Sequence, residues 1–354
     1  MAGKEKLCRR LPFGIALTFL LALMFFVFVW SACIGSAKLG ILDALRLLVA
    51  KLPFVGELSD LSDISPVYKT ILYKVRLPRV LLAGLTGMGL SVTGAAFQGL
   101  FGNPLADPHI LGVSSGAALG ATLAMLSSAG TWFLGLSFTS IAAFAGGLLA
   151  VVFVYRIACS GVSMRTEHLL LTGTAVSSLL SAVISFLMTQ HREQLEKIYM
   201  WTLGSFGAAN WEKVGFLAVF VALFGTVLAV MGKELDLLAA GEDTARTLGV
   251  SVKQTRYIII FAGTFLVAAC VSVSGIIGFV GLVVPHCIRL IFGAGHRRLL
   301  VYSMLGGAIF LVFCDTIART AAAPTEIPVG VITAVFGAPY FLFLLHKSKK
   351  GTGL

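Results

Sequence analysis

Residues 237–256 read LLAAGEDTARTLGVSVKQTR. They interrupt a chain that is 58% hydrophobic and only 12% charged, with a mean hydropathy of +0.95. Between 234 and 256 fall seven charges: Glu234, Asp236, Glu242, Asp243, Arg246, Lys253 and Arg256. Lipid cannot surround so many ionised groups, because each is costly at membrane depth. The segment therefore lies in water, and the apolar stretches on either side of it are what cross the membrane.

Apolar runs of about 20 residues recur along the chain, long enough as helix to traverse a ~30 Å hydrocarbon core. The ~10-residue alternating segments of a membrane barrel are absent. The sequence describes an all-α polytopic membrane protein, with residues 1–354 forming one transmembrane domain. Ten spans are expected, at roughly 11–33, 77–99, 110–129, 137–157, 168–189, 212–231, 257–274, 277–292, 299–318 and 329–346. The N-terminal KEKLCRR and the apolar run after it could serve as a signal peptide. That run exceeds a typical signal core, so an uncleaved first span is the reading adopted.

The net charge of +11 is cytoplasmic anchoring charge in such a chain rather than a nucleic-acid footprint. With both termini inside, inner segments hold 16 Lys and Arg and outer segments 11, seven of these in the long first loop and its edge at Arg79. Long loops count for little in the positive-inside rule, so both ends are placed in the cytoplasm. The six cysteines show no CxxC or Cys/His ligand spacing. They read as small buried hydrophobes, and no metal site is assigned.

A faint internal echo supports the span count. SVTG (91–94) closes the second span and SVSG (272–275) the seventh, and each precedes a Gly-rich stretch and a Pro-His pair, at 108–109 and 285–286. An offset of five spans reverses direction, which is the arrangement of an inverted repeat.

Within the opening segment, Gly241 precedes Glu242 and Asp243, acids suited to a helix N-terminus, and Gly249 follows Leu248 as a stop. Ala245 and Leu248 form one apolar edge, and Glu242 and Arg246 can pair at i, i+4. Such a helix is either a docking element for a partner or a solvated loop helix, and the pattern leaves both open.

LAAGEDTARTLGV resembles the coupling segment of permeases from the ABC importers of iron-siderophores, haem and cobalamin. RLPR (76–79), GAAFQGLFGNPLADPHILGVSSGA (94–117), SGIIGFVGLVVPHCIRL (274–290) and DTIARTAAAPTEIPVGVITAVFGAPYF (315–341) are similar to the same family in the same order. The first loop is the poorest match. The resemblance implies a type II ABC importer permease fold with inverted-repeat halves, in a bacterial cytoplasmic membrane. It also implies partners: two ATPase subunits, a second permease copy or a paralogue, and a substrate-binding protein outside. Glu242, Asp243, Ala245, Arg246, Leu248 and Gly249 would then transmit ATPase movement. The chain has no G-x-x-x-x-G-K-[ST], so ATP and Mg belong to the partner subunit and no cofactor is expected here. No catalytic residue is expected either.

Other residues gain roles the same way. Arg76 and Arg79 read, by themselves, either as partners for carboxylates or as chains snorkelling to lipid phosphate. The resemblance makes them, with Arg319, docking residues for the binding protein, while Asp315 at i, i+4 competes for Arg319. Thr174, Ser178, Ser181 and Ser185, with Thr189, share one face of the fifth span. That face is either a close-packing surface or a weakly polar wall; the resemblance makes it the pathway. Thr166 and Glu167 match the inner gate loop, where the cobalamin-type permease has small hydroxyl residues. Asn103 and Asp107 in NPLADP are expected to satisfy backbone groups in a tight turn, with a contribution to the inner vestibule as the sharper reading. Pro285 is expected to kink the eighth span, and His286 is given no ligand role.

Two other functions compete. An ion-coupled secondary transporter would carry acids inside its spans, and none lies near a span centre; Asp315 is close to an end. A membrane enzyme would need clustered catalytic groups at depth, and none are present.

Overall fold

The computed structural model describes residues 12–35, 40–50, 64–127, 132–133, 136–158 and 166–351. Cys8 and Cys159 lie outside the described residues. Among the described residues, seven long apolar helices and three shorter ones follow one another. Seven are long and apolar enough to cross a bilayer: Phe13–Cys33 (span 1), Pro66–Leu100 (span 2), Phe138–Ala158 (span 4), the fifth over Thr166–Gln190, Trp211–Val230 (span 6), Val252–Ser274 (span 7) and His296–Thr320 (span 9). The apolar helices Val113–Leu126, Val280–Phe292 and Val329–Gly351 supply spans 3, 8 and 10. Helices are forced here because a backbone in hydrocarbon has no water to satisfy it. Two-residue strands at Trp132–Phe133 and Leu136–Ser137 form the one ladder among the described residues.

Span 2 corrects the expected boundary. Its helix begins at Pro66, with Ser65 Oγ accepting from Val67 N–H, and runs on to Leu100. Pro78 removes one backbone donor and crowds the carbonyl four residues back. The helix widens to a π turn over Ile71–Arg76, immediately upstream, and continues. Arg76 and Arg79 therefore lie inside a continuous helix and not at its start. Span 6 opens on a conventional cap, Asn210 Oδ1 accepting from Lys213 N–H at 2.8 Å. Asn210→Ala is expected to cost about 1 kcal/mol, read as a small drop in the thermal midpoint of the detergent-solubilised protein.

The packing of the spans repeats itself. Span 2 lies along span 9, and span 7 along span 4; span 3 lies on span 4, and span 8 on span 9. Spans 2 and 8 meet, as do 7 and 3, and the pairs 1–2, 4–5 and 3–5 have counterparts in 6–7, 9–10 and 8–10. Each of these contacts maps onto another of them by moving five spans along the chain. Because five is odd, the two halves are inverted relative to each other.

Glycine makes the tightest of these crossings. A Cβ on Gly87 would stand 2.1 Å from the Gly307 carbonyl oxygen, and one on Gly120 would stand 2.1 Å from that of Ala142. In lipid, such close backbone approach replaces the hydrophobic effect as the main attraction between helices.

Spans 3 and 8 are short for a physical reason. Their 14 and 13 residues amount to only about 20 Å of helix. The missing length is irregular chain at membrane depth, 101–112 before span 3 and 275–279 before span 8. Gly281, at the start of span 8, packs on Leu90 and Gly94 of span 2 and on Pro108. Leu90 and Gly94 lie ten and six residues before Leu100, so this junction is about 9–15 Å deep. Irregular backbone survives there because protein surrounds it. The sequence echo is thus approximate: Pro108-His109 opens a 3-10 turn, whereas Pro285-His286 falls within a helix.

Candidate functional site

The end of the bundle where span 1 begins is called proximal, and the end where it finishes distal. Chemistry-bearing side chains gather at three levels: a distal ion cluster, a mid-depth seam with a hydroxyl face beside it, and a proximal charged segment.

At the distal end, span 2 sends Arg79 against span 9. Arg79 Nε donates to both oxygens of Asp315 at 3.0 and 3.1 Å, and Nη2 donates to Asp315 Oδ1 at 2.9 Å. Its Nη1 donates to both oxygens of Glu326 at 2.9 Å. Arg76 Nη1 donates to the carbonyls of Ala32 and Cys33, which end span 1. Arg319 Nη2 donates to the carbonyl and hydroxyl of Ser31, while its Nε stands 3.6 Å from Asp315 Oδ2 without a hydrogen bond. All three arginines are buried. The i, i+4 pairing expected between Asp315 and Arg319 is subordinate, since Asp315 spends its hydrogen bonds on Arg79. Arg79 thus gives its Nε/Nη2 edge to Asp315 and Nη1 alone to Glu326.

At mid-depth the two irregular segments touch. His109 Nε2 lies 3.0 Å from the Ile277 carbonyl and Nδ1 lies 2.5 Å from Ser114 Oγ. A carbonyl can only accept, so Nε2 carries the proton and Nδ1 accepts from the serine. Asn103 Oδ1 accepts from Leu105 N–H, and Asp107 Oδ1 accepts from His109 N–H. Both side chains hold the turn as expected. Phe279 caps span 8 at φ 69°, a left-handed conformation that is strained for a bulky residue. Its ring packs where a Cβ on Gly337 of span 10 would have to go. His286 faces the Tyr340 ring and its Nδ1 is buried with no partner.

On the fifth span, Thr174, Ser178, Ser181, Ser185 and Thr189 are all exposed and line one face. Thr174, Ser178, Ser185 and Thr189 hydroxyls donate back to carbonyls three or four residues earlier. The opposite face is planted on the junction, with Gly173 close to the Ile110 carbonyl. Among the described residues the hydroxyl face is left exposed, so close packing between those helices does not explain the small residues. The helix begins at Thr166, but the side chains of Thr166 and Glu167 lie outside the described residues.

At the proximal end the charged segment forms two helices, Gly232–Ala239 and Glu242–Thr247. Gly241 turns the chain between them at φ 117°. Gly249, at φ 85°, closes the second helix, with Val250 N–H reaching the Ala245 carbonyl and Gly249 N–H that of Arg246. That is a Schellman ending, and it needs a residue free to adopt positive φ. Arg246 stands 3.6 Å from Glu242 and 3.8 Å from Asp243, and Glu242 also binds Arg256 at the start of span 7. Ala245 and Leu248 do not form the shared edge the spacing suggested. Ala245 is fully buried against the protein, and Leu248 is 61% exposed. The first helix is tied to span 9 because Asp236 Oδ1 accepts from both the N–H and Nδ1 of His296.

The family profile of the FecCD transport family matches residues 22–347. The chain belongs to that family. The cobalamin import permease of Halobacterium salinarum is 44% identical over 278 residues, 78% of this chain and 74% of that one. The molybdate import permease of Haemophilus influenzae is 40% identical over 291 residues, 82% of this chain and 85% of that one. Among solved structures, a transporter assigned to the metal-chelate ABC type, in an inward-facing conformation, matches with a TM-score of 0.79 at 34% identity. It covers 94% of this chain and 98% of the other.

This member of the FecCD family is thus a multi-pass membrane protein and the permease part of an ABC importer, a transport subunit and not an enzyme. Two of its polar residues carried no signal strong enough to be singled out. Glu326 is the lone charge in 321–328, but nothing in that stretch says which arginine it meets. His109 is half of the Pro-His echo, and its partner is a backbone carbonyl 168 residues away.

Proposed function

We propose that this permease carries a metal chelate, an iron-siderophore, haem or cobalamin, across a bacterial cytoplasmic membrane along a pathway lined by Thr174, Ser178, Ser181 and Ser185. The observation that supports this is the open hydroxyl face of the fifth span. The Thr174, Ser178 and Ser185 hydroxyls already donate to their own helix, so the face offers a bulky substrate mild polarity without strong ligands. A pathway wall exposed on one chain calls for a second wall, supplied by another permease copy or a paralogue.

Charge orients the assembly. The proximal end faces the cytoplasm, with both termini on that side, and the distal end faces outward. Two ATPase subunits, carrying ATP and Mg, bind the 232–256 segment through Glu242, Asp243, Ala245, Arg246, Leu248 and Gly249. The chain itself needs no cofactor. Thr166 and Glu167, at the cytoplasmic start of the fifth span, act in the inner gate. The substrate-binding protein docks at the distal end, where Arg76, Arg79 and Arg319 contribute an excess of positive charge from just beneath the surface.

The test is isolation of the tagged chain from native membranes in mild detergent, then reconstitution of what comes with it into proteoliposomes. A stoichiometric ATPase chain and ATP-dependent uptake of labelled cobalamin, haem or an iron-siderophore are the expected results. Uptake of molybdate alone would move the substrate to an oxyanion, and uptake driven by an ion gradient without ATP would overturn the reading.

A further inference from the structure

Among the described residues, the distal cluster sets three guanidiniums against two carboxylates, and the carboxylates differ in kind. Asp315 rises from span 9, has a side chain only 1% exposed, and holds the Nε and Nη2 edge of Arg79. Glu326 arrives from the surface loop 321–328, where residues 321–326 are all exposed. Its side chain is 45% exposed, and it takes only Nη1 of Arg79, with both oxygens at 2.9 Å. Arg319 Nε is buried with no hydrogen-bond acceptor. Asp315 is therefore a fixed counter-ion, whereas Glu326 is an anion laid on the cluster from outside.

We infer that Glu326 is an internal stand-in for a partner's acid: it occupies Arg79 Nη1 until a carboxylate of the substrate-binding protein displaces it, and so holds docking affinity down. This rests on the docking reading given above. Displacement swaps one carboxylate for another on the same donors, so the incoming acid gains little at Arg79 itself. Glu326 also repels that acid until it moves. Asp315 cannot play this part, because it is deep, held by both atoms of the other guanidinium edge, and shielded from approach. The loop can, since its ties close by are backbone bonds from Ile327 N–H to Ala318 and from Val329 N–H to Gly204. Those bonds leave the Glu326 side chain free to swing outward. The arrangement makes the permease more receptive once the loop has yielded, and it makes unproductive docking short-lived.

The experiment uses the whole permease–ATPase complex in lipid nanodiscs. The analyte is the purified binding protein first identified by cross-linking to the complex in native membranes. Kd is measured for the native complex, Glu326→Gln, Arg79→Lys and Arg76→Gln. Gln keeps the shape of Glu326 and removes its charge; Lys keeps a cation for Asp315 but loses the second edge. A partly exposed ion pair contributes up to ~1 kcal/mol, so Glu326→Gln is expected to tighten docking about fivefold, mostly through slower release. Arg79→Lys and Arg76→Gln are expected to weaken it. If the arginine variants weaken docking while Glu326→Gln leaves it unchanged or weaker, the stand-in is wrong and the docking reading stands. If neither arginine variant alters Kd, the docking reading fails and the stand-in goes with it.

Discussion

Asp315→Asn is expected to be among the most damaging single substitutions in this chain, lowering stability by about 3–5 kcal/mol. Asp315 accepts three hydrogen bonds from Arg79 and is the nearest carboxylate to Arg319. With the charge removed, the buried Arg79 and Arg319 lose the carboxylate they share, and among the described residues only Arg79 keeps another, the half-exposed Glu326. The amide keeps the shape but turns one acceptor into a donor aimed at another donor. Glu326→Gln touches the same arginine yet is expected to cost under ~1 kcal/mol, because water reaches that pair. The contrast between the two is the test, read as thermal midpoints in detergent. A companion variant separates charge from shape: Arg79→Met with Asp315→Leu replaces a buried pair by apolar groups and is expected to recover much of the loss. Equal shifts for Asp315→Asn and Glu326→Gln would show that burial does not govern this cluster.

That cluster also shows where reading from sequence stops. Arg76, Arg79, Arg319 and Asp315 stand out because charge is rare in this chain, and the i, i+4 rule pairs Asp315 with Arg319. The pairing that wins joins residues 236 positions apart, and no local rule encodes it. Spans were legible because ~20 apolar residues state their own purpose. Spans 3 and 8 were legible as apolar runs too, but not as helices of only about 20 Å. Their irregular leads are made tolerable by Gly281 meeting Leu90, Gly94 and Pro108, a contact of three separate stretches. The five-span echo pointed to the inverted halves, although its Pro-His pairs take different conformations. The proximal helix was read well at its ends, where glycine conformations are local, with Gly241 at φ 117° and Gly249 at φ 85°. It was read poorly on its faces. A six-residue helix makes fewer than two turns, too short for periodicity to say which apolar residue turns inward.

The same separation of Ala245 from Leu248 yields the second large effect. Ala245, fully buried, seats the short helix on the protein, and Leu248, 61% exposed, is the apolar group it presents to solvent. Around Leu248 the helix offers the exposed side chains of Glu242, Asp243 and Arg246, a polar rim about an apolar anchor. Leu248 is the exposed C-cap residue and caps through its backbone alone, so Leu248→Asp is expected to cost the fold under about 1 kcal/mol, the anion at a helix C-terminus included. At the proposed ATPase contact the balance is different. Burying a leucine contributes about 1.5–3 kcal/mol, and a carboxylate placed there must be desolvated. Assembly is expected to weaken by roughly tenfold to a hundredfold per contact, and transport with it. Ala245→Leu should instead lift the helix off its seat and lower stability as well. The decisive measurement is the amount of ATPase retained per permease after mild solubilisation, alongside the permease's own melting curve. Loss of the ATPase with an unchanged melt identifies Leu248 as a contact that the protein's own fold does not need. Full retention, with transport intact, would remove this helix from the coupling surface, whatever its resemblance to other permeases.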